Sequence, residues 1–130
     1  MNMEFFIRSL LIFPGHIDKF FLSALKSDAD AIAIDLEDAV PREHKKDARD
    51  AIIEKLEAID SNKKIFVRIN SIDSGLMEGD IESTLHKNLS GYILPMVKNE
   101  KEIMYIDEVV SKIEMNKGLK QGSVKFFPLI

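Results

Sequence analysis

Three carboxylates crowd the end of an apolar run in "AIAIDLEDAV", Ala31 to Val40: Asp35, Glu37 and Asp38. The next apolar run, "IFVRIN" (Ile65 to Asn70), carries Arg68 and Asn70. A guanidinium is a rigid fork of donors that grips a carboxylate through two parallel hydrogen bonds, so Arg68 is a candidate for binding an acidic substrate. It could equally pair with Asp35, Glu37 or Asp38 and tie neighbouring strand ends together. The acids themselves could serve as a general base, support a metal site, or orient Arg8 and Arg68. For Asp38 the plainer role is to complement the N-terminus of the helix that follows. Asp35 and Glu37 are harder to assign to structure alone, because carboxylates on an inward face are costly without partners.

Arg8 breaks the first apolar run, and either points inward toward these acids or marks an irregular strand start. His16, His44 and His86 show no HxxxH spacing and fall in loop or helix positions, so they read as solvated and not as a metal triad. The segments "EFFI", "KFFL" and "KFFP" read as core. Gly15 and Gly91 read as turn residues, and neither belongs to a phosphate-cradling glycine pattern.

These residues sit on elements that alternate in period. Strand-length apolar runs cover Phe6 to Phe13, Ala31 to Leu36, Ile65 to Ile69, Gly91 to Leu94 and Val124 to Leu129. Helical segments cover Ile17 to Lys26, Arg42 to Ile59, Asp80 to Leu89 and Glu100 to Lys117, with Pro41 placed to end the second strand and open the second helix. Strict β-α alternation points to a parallel sheet with helical crossovers, either an open doubly wound sheet or part of a barrel.

Side-chain alternation favours the barrel. In the second strand Ile32, Ile34 and Leu36 share one face and Ala31, Ala33, Asp35 and Glu37 the other. In the third, Ile65, Val67 and Ile69 oppose Phe66, Arg68 and Asn70. Both faces of an open sheet should stay apolar under their helices. A barrel strand instead turns polar on its inner face toward the C-terminal mouth, where active sites form. The fold class expected is therefore α/β, with residues 1–130 forming one partial domain: parallel (β/α) units of the N-terminal half of a (β/α)8 TIM barrel, whose full length is about 250 residues.

Composition narrows the function classes. The net charge of −4 with interleaved lysines and glutamates gives no basic stripe, which argues against nucleic acid and anionic membranes as partners. The absence of cysteine removes disulfides and thiolate metal sites, and fits a cytoplasmic location. The hydrophobic N-terminal stretch is interrupted by Glu4 and Arg8, is too short to span a bilayer, and reads as a strand and not as a signal peptide.

Several stretches together resemble the citrate lyase β-subunit-like branch of the HpcH/HpaI aldolase family: "RSLLIFPG" (Arg8 to Gly15), "DAIAIDLEDAVP" (Asp30 to Pro41) with "KKDAR" (Lys45 to Arg49), "FVRIN" (Phe66 to Asn70), "GYILPMVKN" (Gly91 to Asn99) and "FFPLI" (Phe126 to Ile130). The resemblance implies a magnesium-dependent TIM barrel that makes or breaks a carbon–carbon bond between a 2-oxo acid and an acetyl-type thioester on CoA or a carrier protein. It implies that Arg68 binds the substrate carboxylate, that Asp35, Glu37 and Asp38 lie near the metal and thioester, and that Arg8 and Asn70 are further polar residues of the pocket. A homo-oligomer is the expected state of the complete enzyme.

Two departures from the family pattern stand out. Met96 occupies the place of a usual lysine after the proline of the fourth strand. The family's metal-binding glutamate would directly follow Ile130 and its aspartate ligand would lie farther on, so the expectation is that no metal ligand lies within this chain. On that reading the chain is truncated and inactive alone. The alternatives are a non-catalytic half-barrel that needs a partner, or an unrelated open α/β ligand-binding module.

Overall fold

The computed structural model describes residues 7–59 and 63–129. Along the chain run β1 (Leu10–Pro14), α1 (Asp18–Lys26), β2 (Ala31–Asp35), a 3-10 turn (Arg42–His44) leading into α2 (Lys45–Ala58), β3 (Lys64–Arg68), a second 3-10 turn (Ile72–Ser74), α3 (Met77–Thr84), β4 (Gly91–Leu94), α4 (Glu100–Lys117) and β5 (Lys125–Pro128). Every strand pair is parallel, and the strands lie side by side in sequence order from β1 to β5. A doubly wound sheet reverses its strand order at a switch point. No reversal occurs here, so the open-sheet module is excluded and the units follow the progression of a (β/α)8 barrel.

Period-two alternation divides the core as the strands require. Ile32, Ile34, Ile65, Val67, Tyr92 and Leu94 pack outward under Ala48, Ile52, Leu56, Ile81, Ile106 and Val110 of the helices. Inward, Ala31 and Ala33 leave room for Phe66, which joins Ile93 and stacks on Phe127 with ring centroids 4.8 Å apart. Of the expected core phenylalanines, Phe21 is buried and Phe126 and Phe127 are half-buried, whereas Phe20 faces solvent. Phe5, Phe6 and Ile130, and with them the expected first-strand start, lie outside the described residues.

The third helix departs from expectation. Ile81, Leu85 and Leu89 recur at helical steps and all are buried, but Leu85 adopts an extended conformation (ψ 119°) and a separate turn carries Leu89 inward. The helix instead begins earlier, just past Gly75, whose left-handed φ of 77° closes the preceding 3-10 turn. By contrast α4 matches its expected span, because both ends carry strong stops: Asn99 Oδ1 accepts from Glu102 N at 3.1 Å, and Gly118 follows the last turn at φ 71°. No helix among the described residues is long and apolar enough to cross a membrane.

Gly91, read from sequence as a turn residue at the start of the fourth strand run, is the first residue of β4. A Cβ there would sit 2.3 Å from the Lys125 carbonyl oxygen and 2.8 Å from the Phe66 ring. Gly91→Ala should therefore force β4 and β5 apart over the inner layer, lowering stability by about 1–3 kcal/mol. Denaturant unfolding measures this, and an unchanged midpoint would contradict the close approach.

Candidate active site at the strand C-termini

The register of β2 against β3 sets Asp35 opposite Arg68 at the C-terminal ends of both strands. Arg68 Nε donates to Asp35 Oδ1 at 2.8 Å and Nη2 donates to Oδ2 at 2.6 Å. The same carboxylate accepts from the backbone N–H of Glu37 at 2.8 Å and of Ala39 at 2.9 Å. Asp35 is thus 1% exposed but satisfied on both oxygens. Burial alone would raise its pKa; the bonds from Arg68, Glu37 and Ala39 outweigh that and hold it below the ordinary aspartate value of 3.8. Arg68 is in turn made a weaker acid, chiefly by its hydrogen bonds to Asp35.

The pair uses only one edge of the guanidinium. No acceptor among the described residues bonds Nη1, so the edge formed by Nη1 and the outer hydrogen of Nη2 remains open as a two-pronged donor. Arg68 lines a cleft of about 250 Å³ together with Glu37, Asp38, Pro95, Met96 and Leu129. That volume suits a small acid better than a drug-sized ligand, whose pockets span about 300–1,000 Å³.

Glu37 and Asp38 behave differently from Asp35. Glu37 Oε1 lies 3.6 Å from Arg68 Nε. Its pKa is raised, first by burial and then by the negative charge of Asp38, against the attraction of Arg68. Asp38 is exposed and does not cap the following helix: Pro41 precedes the 3-10 turn, His44 precedes α2, and neither helix start has a side-chain cap. Its place is the cleft wall, beside Glu37.

Two expected pocket residues, Arg8 and Asn70, are not among those lining this cleft. Arg8 precedes β1 and is largely exposed; its backbone N–H and Nε both donate to Asp30, which precedes β2, at 2.8 and 3.4 Å. It therefore clips the N-terminal ends of the strands, opposite the mouth, because "RS" comes before the strand and not within it. Asn70 falls two residues beyond the end of β3 and is buried behind the mouth. Its backbone N–H and Nδ2 both donate to Asp80 Oδ2 at 2.7 Å, Nδ2 also donates to the Leu36 carbonyl at 3.1 Å, and Oδ1 accepts from Lys45 Nζ at 2.9 Å.

Sequence reasoning missed the rest of this network. Lys45 Nζ also donates to the carbonyls of Leu36 and Glu37 at 2.7 and 2.9 Å, and Arg49 Nε donates to Asp80 Oδ1 at 2.8 Å. The available signal was the four-residue spacing of Lys45 and Arg49, which puts two cations on one side of a helix beside its apolar stripe. His16 and His44, read as solvated, stack with ring centroids 5.1 Å apart on the loops after β1 and β2, and His16 Nδ1 is buried without a hydrogen bond.

Asp35 has both oxygens committed, and among the described residues no group of three or more His, Asp or Glu side chains could hold a metal ion.

Fold and site together define a class: a (β/α)-barrel protein with an arginine–carboxylate cluster at the C-terminal ends of its strands. The HpcH/HpaI aldolase/citrate lyase profile matches residues 8–130, and the chain belongs to that family. It is 34% identical over 118 residues to an L-malyl-CoA/beta-methylmalyl-CoA lyase of Rhodobacter capsulatus, covering 88% of this chain and 37% of the relative. It is 28% identical over 131 residues to citrate lyase subunit beta of Leuconostoc mesenteroides, covering all of this chain and 43% of the relative. Its fold matches the magnesium/glyoxylate complex of Haloferax volcanii malate synthase with a TM-score of 0.83 at 17% identity, over all of this chain and 44% of that one. The chain thus spans less than half the length of these relatives.

Asp35 supplies a test with a defined sign. Its depressed pKa means that the stability it contributes is complete above pH 3.8 and is lost as pH falls through its lower folded-state value. Asp35→Asn should cost about 3 kcal/mol at neutral pH, because it leaves the partly buried Arg68 charge uncompensated, and should flatten the acid limb of the stability curve. Urea unfolding at pH 7 and pH 3 reads both effects; a variant within about 0.5 kcal/mol of the parent at pH 7 would contradict this account.

Proposed function

We propose that this chain forms the acid-gripping part of a carbon–carbon lyase that cleaves or forms a 3-hydroxyacyl thioester of the citryl or malyl type, with a 2-oxo acid as one product. The observation that carries this reading is the open edge of Arg68. Asp35 holds the guanidinium side-on, so on a residue that lines the cleft the end-on edge is left without an acceptor among the described residues, a fork matched to a carboxylate. A proton must leave the substrate hydroxyl as the carbon–carbon bond breaks. The bond's electron pair passes to the thioester enolate, which is then protonated to the acetyl thioester. Glu37 is the acid suited to exchange that proton, since it lines the same cleft and its raised pKa brings it nearer neutrality than an ordinary glutamate.

The remaining terms of the reading come from family membership. Relatives are lyases of CoA thioesters by name, and the malate synthase structure contains magnesium and glyoxylate. Magnesium as the metal of this reading rests on the family. The thioester carrier, CoA or a carrier protein, a homo-oligomeric assembly and a cytoplasmic location belong to the same proposal.

Arg68→Lys is the informative variant, because it keeps a cation beside buried Asp35 but removes the planar fork. Titration with a 2-oxo acid should show affinity falling about tenfold or more, as expected for losing a charge-assisted bidentate contact, while the melting temperature moves little. Unchanged affinity would remove the carboxylate-clamp assignment.

A further inference from the structure

Met96 follows Pro95 in the turn after β4 and takes φ 46°, the only positive φ among the described residues other than glycine. That conformation is costly for a residue with a Cβ. Two backbone bonds beside it hold the turn: Val97 N–H donates to the Leu129 carbonyl and Leu129 N–H to the Leu94 carbonyl, each at 2.8 Å. The main chain under Met96 is therefore held in place, and the freedom left is that of its three side-chain torsions. The side chain is 62% exposed and lines the same cleft as Arg68.

Two chemical facts bear on a sulfur in that place. The sequence has no cysteine, so the usual first target of a peroxide is missing and methionine sulfur is the group left to take up an oxygen under mild conditions. Arg68 is the only residue lining the cleft whose side chain carries N–H donors, and its end edge has no acceptor among the described residues. A thioether is a weak acceptor and offers that edge little. Oxidation to the sulfoxide makes the same side chain polar and gives it a strongly accepting oxygen.

We propose that Met96 is a peroxide-sensitive modification site that closes the cleft: its sulfoxide oxygen bonds the end edge of Arg68 and competes with a ligand carboxylate for the same donors. The proposal rests on the functional reading above and adds a means of regulating that site. In the step, a lone pair of Met96 Sδ attacks one peroxide oxygen, and the S–O bond forms as the O–O bond breaks. The proton on the attacked oxygen passes to the departing hydroxide, which leaves as water; sulfur loses two electrons and the peroxide gains them. A methionine sulfoxide reductase, drawing its electrons from a thiol, reverses the change. Asp35 keeps the other edge of the guanidinium throughout, so closure needs no rearrangement of the strands. Of the other described methionines, Met77 is buried, whereas Met104 and Met115 are exposed on α4 and do not line the cleft. Those two serve as internal controls.

The test is calorimetric titration with glyoxylate before and after dilute hydrogen peroxide, which is removed before titration because it decarboxylates 2-oxo acids. Peptide mass spectrometry reports which methionines have gained an oxygen. Oxidation of Met96 should weaken glyoxylate binding about tenfold, the scale of one charge-assisted hydrogen bond, and the reductase should restore it. Met96→Leu should keep its own starting affinity through the same treatment, while the Met104→Leu/Met115→Leu double variant should lose as much as the parent. A crystal structure of the oxidised protein separates a bond to Arg68 from a mere change in wall polarity, and should show the sulfoxide oxygen within hydrogen-bond distance of Nη1 or Nη2. Four results would each overturn the proposal: Met96 escaping oxidation while Met104 and Met115 are converted, an affinity that its oxidation does not change, a loss that persists in Met96→Leu, or a sulfoxide turned away from Arg68. Untreated protein that does not bind glyoxylate would overturn the functional reading beneath it, and the proposal with it.

Discussion

Asp35 is a carboxylate taken out of water at the end of a parallel strand, and the local structure is arranged to satisfy it. A lone buried carboxylate is too costly to keep ionised, so four donors converge on it: two from Arg68 and the backbone N–H groups of Glu37 and Ala39. The backbone bonds turn the chain sharply after β2 and bring Glu37 and Asp38 to the cleft wall. The Arg68 bonds fix the guanidinium on its side edge and leave the end edge available. One constraint thus sets both the loop that carries the acids and the direction of the fork. Such a pair contributes little net stability against an apolar substitute, but losing one partner is expensive, so its value lies in the geometry it enforces.

Behind this pair lies a second buried polar network that ties the helices to the strand ends. Lys45 on α2 donates to the carbonyls of Leu36 and Glu37, which no strand partner can reach past the end of β2. Asn70 bridges Lys45 to Asp80 on α3, and Arg49 closes the chain from α2. Helices that would otherwise only cover the apolar outer face therefore also position the mouth. Thr84 and the buried Tyr92 hydroxyl, 2.8 Å apart, extend polar contacts from α3 to β4.

What could be read from the sequence was whatever period and residue size determine. The split of Ile32, Ile34, Ile65 and Val67 from Ala31, Ala33, Phe66 and Arg68 follows from period-two geometry, and it identified both the barrel and the inward side of Asp35 and Arg68. Register was not legible: that Asp35 meets Arg68 directly depends on pairing across 33 residues of chain. That Arg8 pairs with Asp30 and Asn70 joins Lys45 and Asp80 was not legible, because residues flanking a strand lose the alternation that fixes direction within it. Lys45 and Arg49 escaped notice because helical cations ordinarily face solvent, and only the carbonyls waiting at the end of β2 make Lys45 different.

The central claim is that Asp35 and a substrate carboxylate occupy different edges of the same guanidinium. A crystal structure of the protein with bound glyoxylate measures this most directly. The account predicts the glyoxylate carboxylate within hydrogen-bond distance of Nη1 and Nη2 of Arg68, with Asp35 still on Nε and Nη2. Glyoxylate bound away from Arg68, or seated there only after displacing Asp35, would contradict it.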